Sequence, residues 1–338
     1  MPESRTRTGT RPASGLPPAS ALPPHVEGTF VTVGTFDGVH RGHQDVLGRL
    51  VRGARERGLR SVLVTFEPHP LEIVRPEAAP PLLTLPDEKK EILAEVGLDY
   101  VAVLPFTRRL ASYDAEQFVE LVLRERFRMR AILIGYDHGF GRNRSGSVEV
   151  VQELGARDGF HVEVVRPVSV GDERPVSSTM IRKAIASGDL ATAARGLGRL
   201  YSVSGRVVAG EGRGRALGFR TLNLEPVPER KLLPPEGVYA VRVQTPRGVF
   251  GGMMNLGPRP TFGDLRVGLE AHLFDAAGDW YGAHVRIEFV ERLRDVRRFP
   301  DAAALVAQLR DDELGARRAL TRATDAGNLY SSPFYDLP

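Results

Sequence analysis

The sequence predicts an α/β protein in two parts. An N-terminal doubly wound, Rossmann-like domain comes first, then a small antiparallel β-barrel with a terminal helix. Three observations carry this prediction. Between Thr29 and about Arg195, the apolar runs "TFVTVGTF", "SVLVTFEP", "YVAVLPF", "AILIGYD" and "VEVVRPV" alternate with helical patterns. Continuous apolar strands separated by amphipathic helices indicate βαβ units and a parallel sheet covered on both faces. After about Tyr201 the period changes to two, the mark of antiparallel strands with one buried face.

The composition is that of an ordinary globular chain. It has 338 residues, 42% of them hydrophobic and 26% charged, enough for two domains with their own cores. There is no cysteine, which excludes disulfides and thiolate metal sites. No run reaches the ~18 apolar residues of a membrane span. Residues 1–25, rich in Pro, Ser, Thr and Arg without an apolar core, read as a disordered leader rather than a signal peptide, so the expected location is cytoplasmic. The net charge is +4 and the pI about 9.5. Acidic and basic residues are interspersed without a basic stripe, so nucleic acid is not the expected partner. A mild positive balance suits phosphates and nucleotides.

Taken in order, "HQDVLGRLVRGARERG" puts Leu47, Leu50, Val51 and Ala54 on one helical face, and "DAEQFVELVLRERF" does the same with Phe118, Leu121 and Val122. The domain boundary is expected near Gly198, giving segments 26–198 and 199–338. Beyond it, Tyr239, Val241 and Val243 alternate with Ala240, Arg242 and Gln244, and Val285, Ile287 and Phe289 with Arg286 and Glu288. Turn signals at "TPRG" and "DAAGDW" separate such strands, and "DAAALVAQLRDDELGARRAL" is a final helix.

The stretch "TVGTFDGVHRGHQD" sits where the first strand ends and a helix begins. Ligands of open α/β sheets bind beyond the carboxyl ends of strands, where helix N-termini point at them. Gly34 and Gly38 permit close backbone approach. His40 and His43, three apart in a first helical turn, lie on one face and can reach one phosphate. Fixed donors there would stabilise the charge that gathers on a nucleoside triphosphate's α-phosphorus during nucleotidyl transfer. A structural role for the pair is the plain alternative; a metal site would need a third ligand that the neighbouring sequence lacks. In "SSTMIRKAI", Ser177, Ser178 and Thr179 open a helix with Arg182 one turn on, which is either a phosphate clamp or ordinary capping.

These motifs carry a resemblance. "GTFDGVHRGH" resembles the signature of the nucleotidyltransferase superfamily. "VTFEPHP", "EKKEILAEVGLDYVAVLPF", "IGYDHGFGRNRSG" and "VSSTMIR" narrow it to the bacterial bifunctional riboflavin kinase/FMN adenylyltransferases, over about Thr29 to Leu320. The resemblance implies that His40 and His43 stabilise the transferring phosphorus. It also implies that Gly34, Phe36, Asp37 and Gly38 contact nucleotide, and that Ser178, Thr179 and Arg182 hold the leaving pyrophosphate. Phe66, Pro68, His69 and Asp137, from the two loops, would line the flavin site.

The second half contains no Gly-Lys-Ser/Thr P-loop. Its glycine-rich "GEGRGRALGFRTLNL" reads by itself as a hairpin connection, and Glu270 and His272, opposite the apolar set Leu269, Ala271 and Leu273, read as solvent-facing. The resemblance implies more: Gly210 and Gly214 near ATP, Thr221 and Asn223 holding Mg²⁺ and phosphates, Asn255 at the flavin, and Glu270 as the base. One residue departs from the family pattern. Arg220 stands where the family has proline before the metal-binding threonine, which restores backbone freedom and adds a cation. The expectation is a working kinase that Arg220 either leaves intact or slows.

The implied substrates are riboflavin, FMN and ATP with Mg²⁺, and the implied product is FAD; no membrane partner is expected. Two alternatives stay open on the residues alone: a nucleotidyltransferase with another substrate, and a flavin-binding regulator with a weakened kinase.

Overall fold

Strands β1 (Thr29–Val33), β2 (Arg60–Glu67), β3 (Tyr100–Pro105), β4 (Met129–Gly135) and β5 (His161–Val165) form a five-stranded sheet in the order β3-β2-β1-β4-β5. Every neighbouring pair is parallel, as the continuous apolar runs predict. The strand order runs outward both ways from β1 and β4. That places the topological switch point, where such sheets bind ligands, at the carboxyl ends of these two strands. The chain leaves β1 into "GTFDGVH" and β4 into "GYDHGFG". The computed structural model describes residues 22–136, 139–142, 145–165, 176–210, 218–258, 267–276 and 278–325.

Helices α1 (Arg41–Glu56), α2 (Pro70–Val74), α3 (Pro86–Ala94), α4 (Arg108–Ala111), α5 (Ala115–Gln117), α6 (Val148–Asp158), α7 (Ser178–Ala186) and α8 (Leu190–Leu197) lie between the strands or follow them. Leu47, Leu50, Val51 and Ala54 of α1 are all buried, so the first apolar stripe is where the periodicity puts it. The second stripe needs correction. After α5 the chain turns into a π-helical segment, Phe118–Arg124, with N–H bonds five residues back from Glu125 to Glu120 and from Phe127 to Val122. A wider turn carries a different set of residues inward. Val119 and Leu123 join Phe118 and Val122 in the core, while Leu121 is 43% exposed.

Contacts divide the chain into two units. The first comprises Met1–Phe36, His43–Ala79 and Lys89–Pro167. Its core joins Val31, Val33, Val62 and Val64 of the sheet with Phe118, Phe127 and Leu154. Leu22 belongs to this core, and Arg128 Nη1 donates to the carbonyls of Pro23, Pro24 and Val26. Residues 22–25, assigned by composition to the leader, are therefore held in place: one leucine finds an apolar pocket and one guanidinium satisfies their carbonyls.

The second unit comprises Asp37–Gly42, Pro80–Glu88 and Val168–Pro338. Strands β6 (Ser202–Val208), β7 (Leu222–Leu224), β8 (Gly237–Thr245), β9 (Gly248–Pro258), β10 (Val267–Leu273) and β11 (His284–Arg294) close into a barrel in the order β10-β7-β6-β11-β8-β9. Closure removes the open edges of an antiparallel sheet. Tyr239, Val241, Val243, Val285, Ile287 and Phe289 fill it. Glu288, on the alternate face, is buried too, accepting from Arg242 Nε at 2.5 Å and Gln244 Nε2 at 2.7 Å. Covalent order suggests a boundary near Gly198, but Ile181 and Ile185 of α7 and Leu190 and Leu197 of α8 share the barrel's core.

The final helix, α9 (Ala302–Asp325), lies across β8, β9 and β11. Small residues allow the close approach: Ala316 and Ala319 pack on Ala240, Met253 and Phe274. Arg294 clamps Asp312 of α9 with two bonds of 2.8 and 2.7 Å. Among the described residues, no helix is long and apolar enough to cross a membrane. Ala316→Leu is expected to overpack this seam and lower stability by about 1–3 kcal/mol in denaturant unfolding, while Leu314→Ala, at a 58% exposed position, shifts it by less than about 0.5 kcal/mol.

Candidate functional site

The turn that leaves β1 is unusual in its backbone. Phe36 (φ 48), Gly38 (φ 82) and Val39 (φ 38) all take left-handed conformations. For a β-branched residue such as Val39 this costs energy and persists only where surrounding bonds enforce it. Gly34 leaves room for the Phe36 ring, which a β-carbon there would strike at 2.8 Å, and a β-carbon at Gly38 would meet Leu83 at 2.7 Å.

Asp37 is the hub of the enforcing bonds. Its carboxylate, 4% exposed, accepts from Leu83 N at 3.0 Å, Thr84 N at 2.9 Å, Thr84 Oγ1 at 3.1 Å and Arg182 Nη2 at 2.6 Å. Both oxygens are thus occupied by protein donors, and the residue shapes the turn. Ser178 Oγ donates to the Asp37 carbonyl at 3.0 Å, and Arg182 Nε to Pro81 O at 2.9 Å. Two of the residues expected at the pyrophosphate therefore spend hydrogen bonds on the turn itself. Ser177 caps α7 by accepting from Met180 N, and Thr179 in its first turn is exposed.

His40 immediately precedes α1 and His43 is the helix's third residue, and the first turn of α1 contains no acid to offset its positive end. His40 is buried at 6% exposure. Its pKa is lowered to about 4, first by burial, then by the charge of Arg199 and, less, of Arg182, with Asp37 pulling the other way. It is a neutral imidazole with one N–H at neutral pH. His43 packs on the Phe36 ring, centroids 4.7 Å apart. Lys89 Nζ reaches Thr35 O and Thr65 Oγ1, both at 3.2 Å, at the carboxyl ends of β1 and β2.

In the first unit an aromatic chain brings two of the expected flavin loops together. Phe66 lies 6.3 Å from Phe118, and Phe118 lies 5.3 Å from Phe140 of "GYDHGFG". Phe66 also meets Phe106 edge-on at 5.3 Å. Pro68 follows a cis peptide bond and is partly buried. His69 caps α2, its Nδ1 accepting from Leu71 N at 3.2 Å, so that ring nitrogen serves structure. Asp137 lies outside the described residues, as does Gly214.

On the barrel, strand register assembles what the linear sequence scatters. Glu270 is directly opposite Asn223 on β7 and directly opposite Asn255 on β9. Directly paired residues project from the same face, so the three side chains form a row across β7, β10 and β9. Leu269 and Ala271 occupy the core, which puts the row on the barrel's outer face. Asn223 is 6% exposed and Asn255 exposed. Gly210 lies so close over Asn223 that any β-carbon would collide with its amide nitrogen. Thr221, two residues before Asn223 and on the same side of the extended chain, is exposed. His272 Nδ1 donates to the Arg220 carbonyl at 2.7 Å, and the Arg220 side chain is exposed. The loop is thus pinned at residue 220 by a hydrogen bond from β10.

The donors Thr221 and Asn223, a hydroxyl and an amide, offer hard oxygens, with the Glu270 carboxylate opposite Asn223. That chemistry suits a Mg²⁺ carried in with substrate phosphates rather than one caged wholly by protein. Among the described residues, no cluster of His, Asp or Glu forms such a cage.

Sequence reasoning missed Lys89, Arg199 and Lys231. Lys89 lies within the quoted "EKKEILAEVGLDYVAVLPF" without standing out by type, Arg199 and Lys231 fall outside the quoted motifs, and each acts on backbone carbonyls brought near by folding.

Comparison with known proteins covers both halves. The FAD synthetase family model matches residues 22–180 and the riboflavin kinase family model residues 197–320. The bifunctional riboflavin kinase/FMN adenylyltransferase of Escherichia coli (strain K12) is 40% identical over 295 residues, covering 86% of this chain and 92% of its own. Proteins of the same description from Pseudomonas fluorescens and Bacillus subtilis (strain 168) are 39% and 32% identical, covering 86% and 85% of this chain and 92% and 91% of their own. A solved structure described as a macrolide-efflux protein from Streptococcus pneumoniae aligns with a TM-score of 0.77 at 30% identity, over 88% of this chain and 96% of that one. With two motif-bearing halves in one order and one relative spanning both, the chain belongs to the bifunctional riboflavin kinase/FMN adenylyltransferase family.

Proposed function

We propose that this chain makes FAD from riboflavin in two steps, residues 199–338 phosphorylating riboflavin and residues 26–198 adenylylating the FMN formed. The observation that carries the reading is the 40% identity to a relative named for both activities, extending over 86% of the chain. The substrates are small molecules, riboflavin, FMN and ATP, and the setting is the cytoplasm, with no part for nucleic acid or a membrane.

In the first step the Glu270 carboxylate accepts the proton of riboflavin's 5′-hydroxyl, whose oxygen attacks the γ-phosphorus of ATP as ADP leaves. Thr221 and Asn223 would hold Mg²⁺, which neutralises charge on the phosphate oxygens. Asn255, next to Glu270 in register, orients the flavin's hydroxyl-bearing chain, and Gly210 lets the backbone approach the phosphates. In the second step an FMN phosphate oxygen attacks the α-phosphorus of ATP, and the bond to pyrophosphate breaks. His40 and His43 donate N–H groups to the oxygens that gain charge. Thr179 and the start of α7 meet the leaving pyrophosphate, Phe66 and Phe140 offer the flavin an apolar wall, and Asp37 acts by holding the turn.

The test is a purified protein given riboflavin, ATP and Mg²⁺, with riboflavin, FMN and FAD separated by chromatography. FMN followed by FAD is expected; flavin bound but unchanged would overturn the reading. His43→Ala is expected to let FMN accumulate while FAD formation falls about a hundredfold or more. Glu270→Ala should cut FMN formation by about 10²–10⁴ while added FMN still becomes FAD.

Arg220→Pro is expected to leave riboflavin phosphorylation within about twofold, because the pinned atom is the residue 220 carbonyl, which proline keeps. Steady-state turnover and its magnesium dependence measure this.

His40 gives a pH signature. Its folded pKa of about 4 lies below the ordinary value of 6.5, so the unfolded chain takes up a proton first as pH falls. The contribution to stability is full above pH 6.5 and lost between 6.5 and 4, amounting to about 3 kcal/mol over that window. His40→Gln should flatten the urea-unfolding stability profile there.

A further inference from the structure

The strained turn at Asp37–His40 is held by groups from the kinase-like half of the chain. Arg199 Nη2 donates to the Gly38 carbonyl at 2.6 Å and Nη1 to the Val39 carbonyl at 3.0 Å. Nη1 also reaches Leu197 O, the end of α8, at 3.3 Å. A planar fork spanning two consecutive carbonyls fixes both peptide planes at the residues whose φ values are left-handed.

The opposite side of the turn rests on Leu83 and Thr84. Their N–H groups donate to Asp37, and Gly38 N donates to Thr84 Oγ1 at 3.0 Å. That strip is in turn anchored from behind by Lys231. The Lys231 Nζ, its side chain fully buried, donates to Leu83 O at 2.8 Å, Ser202 O at 2.8 Å and Glu88 Oε2 at 2.7 Å, and sits 4.6 Å above the Tyr201 ring. Glu88 accepts as well from Leu85 N and Ser204 N, both at 2.8 Å. Every donor of the ammonium is thus used, two of them on backbone carbonyls: Leu83 beside the turn and Ser202 on β6.

We propose that Arg199 and Lys231, which lie within the segment matching the riboflavin kinase family, are positioning residues for adenylyl transfer. Arg199 holds the carbonyls of the turn that leads into His40. Lys231 holds the Leu83–Thr84 strip against which Asp37 is seated. Neither residue belongs to the row Asn223–Glu270–Asn255. The proposal rests on the functional reading above.

The two steps are assayed separately on each preparation, riboflavin to FMN and FMN to FAD. Arg199→Met is expected to lower kcat for FMN to FAD at least tenfold, with KM for ATP and FMN within threefold, because the lost contact is to the turn and not to substrate. Arg199→Lys keeps the charge but not the fork and should recover only part of this loss. Lys231→Met should act in the same direction. The double variant Lys231→Met/Glu88→Leu replaces a buried ion pair by apolar groups and should regain thermal stability without regaining FAD formation, since Leu83 O stays unheld.

Riboflavin phosphorylation is expected to stay within twofold throughout. FAD formation within twofold of wild type in Arg199→Met, or both steps falling together, would overturn the proposal while the functional reading stands. Wild-type protein that converts no FMN to FAD would overturn that reading, and the proposal with it.

Discussion

The buried carboxylate of Asp37 is the constraint on which the rest of the first site depends. A carboxylate removed from water must be met by donors, and here four donor groups meet it: two backbone amides, a hydroxyl and a guanidinium. Its neighbours Phe36 and Val39 hold left-handed backbone that isolated chains avoid. The bonds at Asp37, Gly38 and Val39 offset that strain and leave the chain entering α1 in one defined direction. His40 thus follows a turn whose backbone is held by fixed hydrogen bonds, the form in which a polar group costs least reorganisation.

Burial also sets protonation. His40 is kept neutral chiefly by desolvation, with the cationic Arg199 beside it as a second cause. A neutral imidazole can present one N–H to a phosphate oxygen without the desolvation cost of a buried imidazolium. The arginines that shape the turn therefore serve twice, once through hydrogen bonds to carbonyls and once through their field. Lys231 and Glu88 illustrate the other use of buried charge. An ion pair of this kind contributes little net stability against an apolar replacement. Its distinctive property is direction: three donors and two acceptor oxygens fix the register between the Leu83 strip and β6.

On the barrel, the polar row at Glu270 follows from register. A residue on β10 acquires as neighbours whatever its antiparallel partners place opposite, and for Glu270 these are two asparagines. A slip of one residue would turn Glu270 into the core and bring Leu269 or Ala271 out. The packing that excludes such a slip is the interior of Tyr239, Val241, Ile287 and Phe289, so the apolar core is what guarantees the polar row on the other face.

Much of this was legible in the linear sequence. Apolar runs of strand length and a period-two pattern fixed the two architectures, because burial on both faces and on one face leave different spacings. The candidate residues of both halves are read through the resemblance, because by spacing alone the histidine pair has a plain structural reading and Glu270 a solvent-facing one. The π-helical segment escaped, because a wider turn changes which residues face inward without altering composition, and Leu121 went outward as a result. The resemblance implies a nucleotide contact for Asp37 and a pyrophosphate contact for Ser178 and Arg182, and folding adds what no motif shows, that Ser178 and Arg182 both hydrogen-bond to Asp37. Arg199 and Lys231 carry no signature at all: their partners are backbone carbonyls 161 and 148 residues away in the chain, and a carbonyl looks the same in every residue until tertiary structure turns it toward a cation.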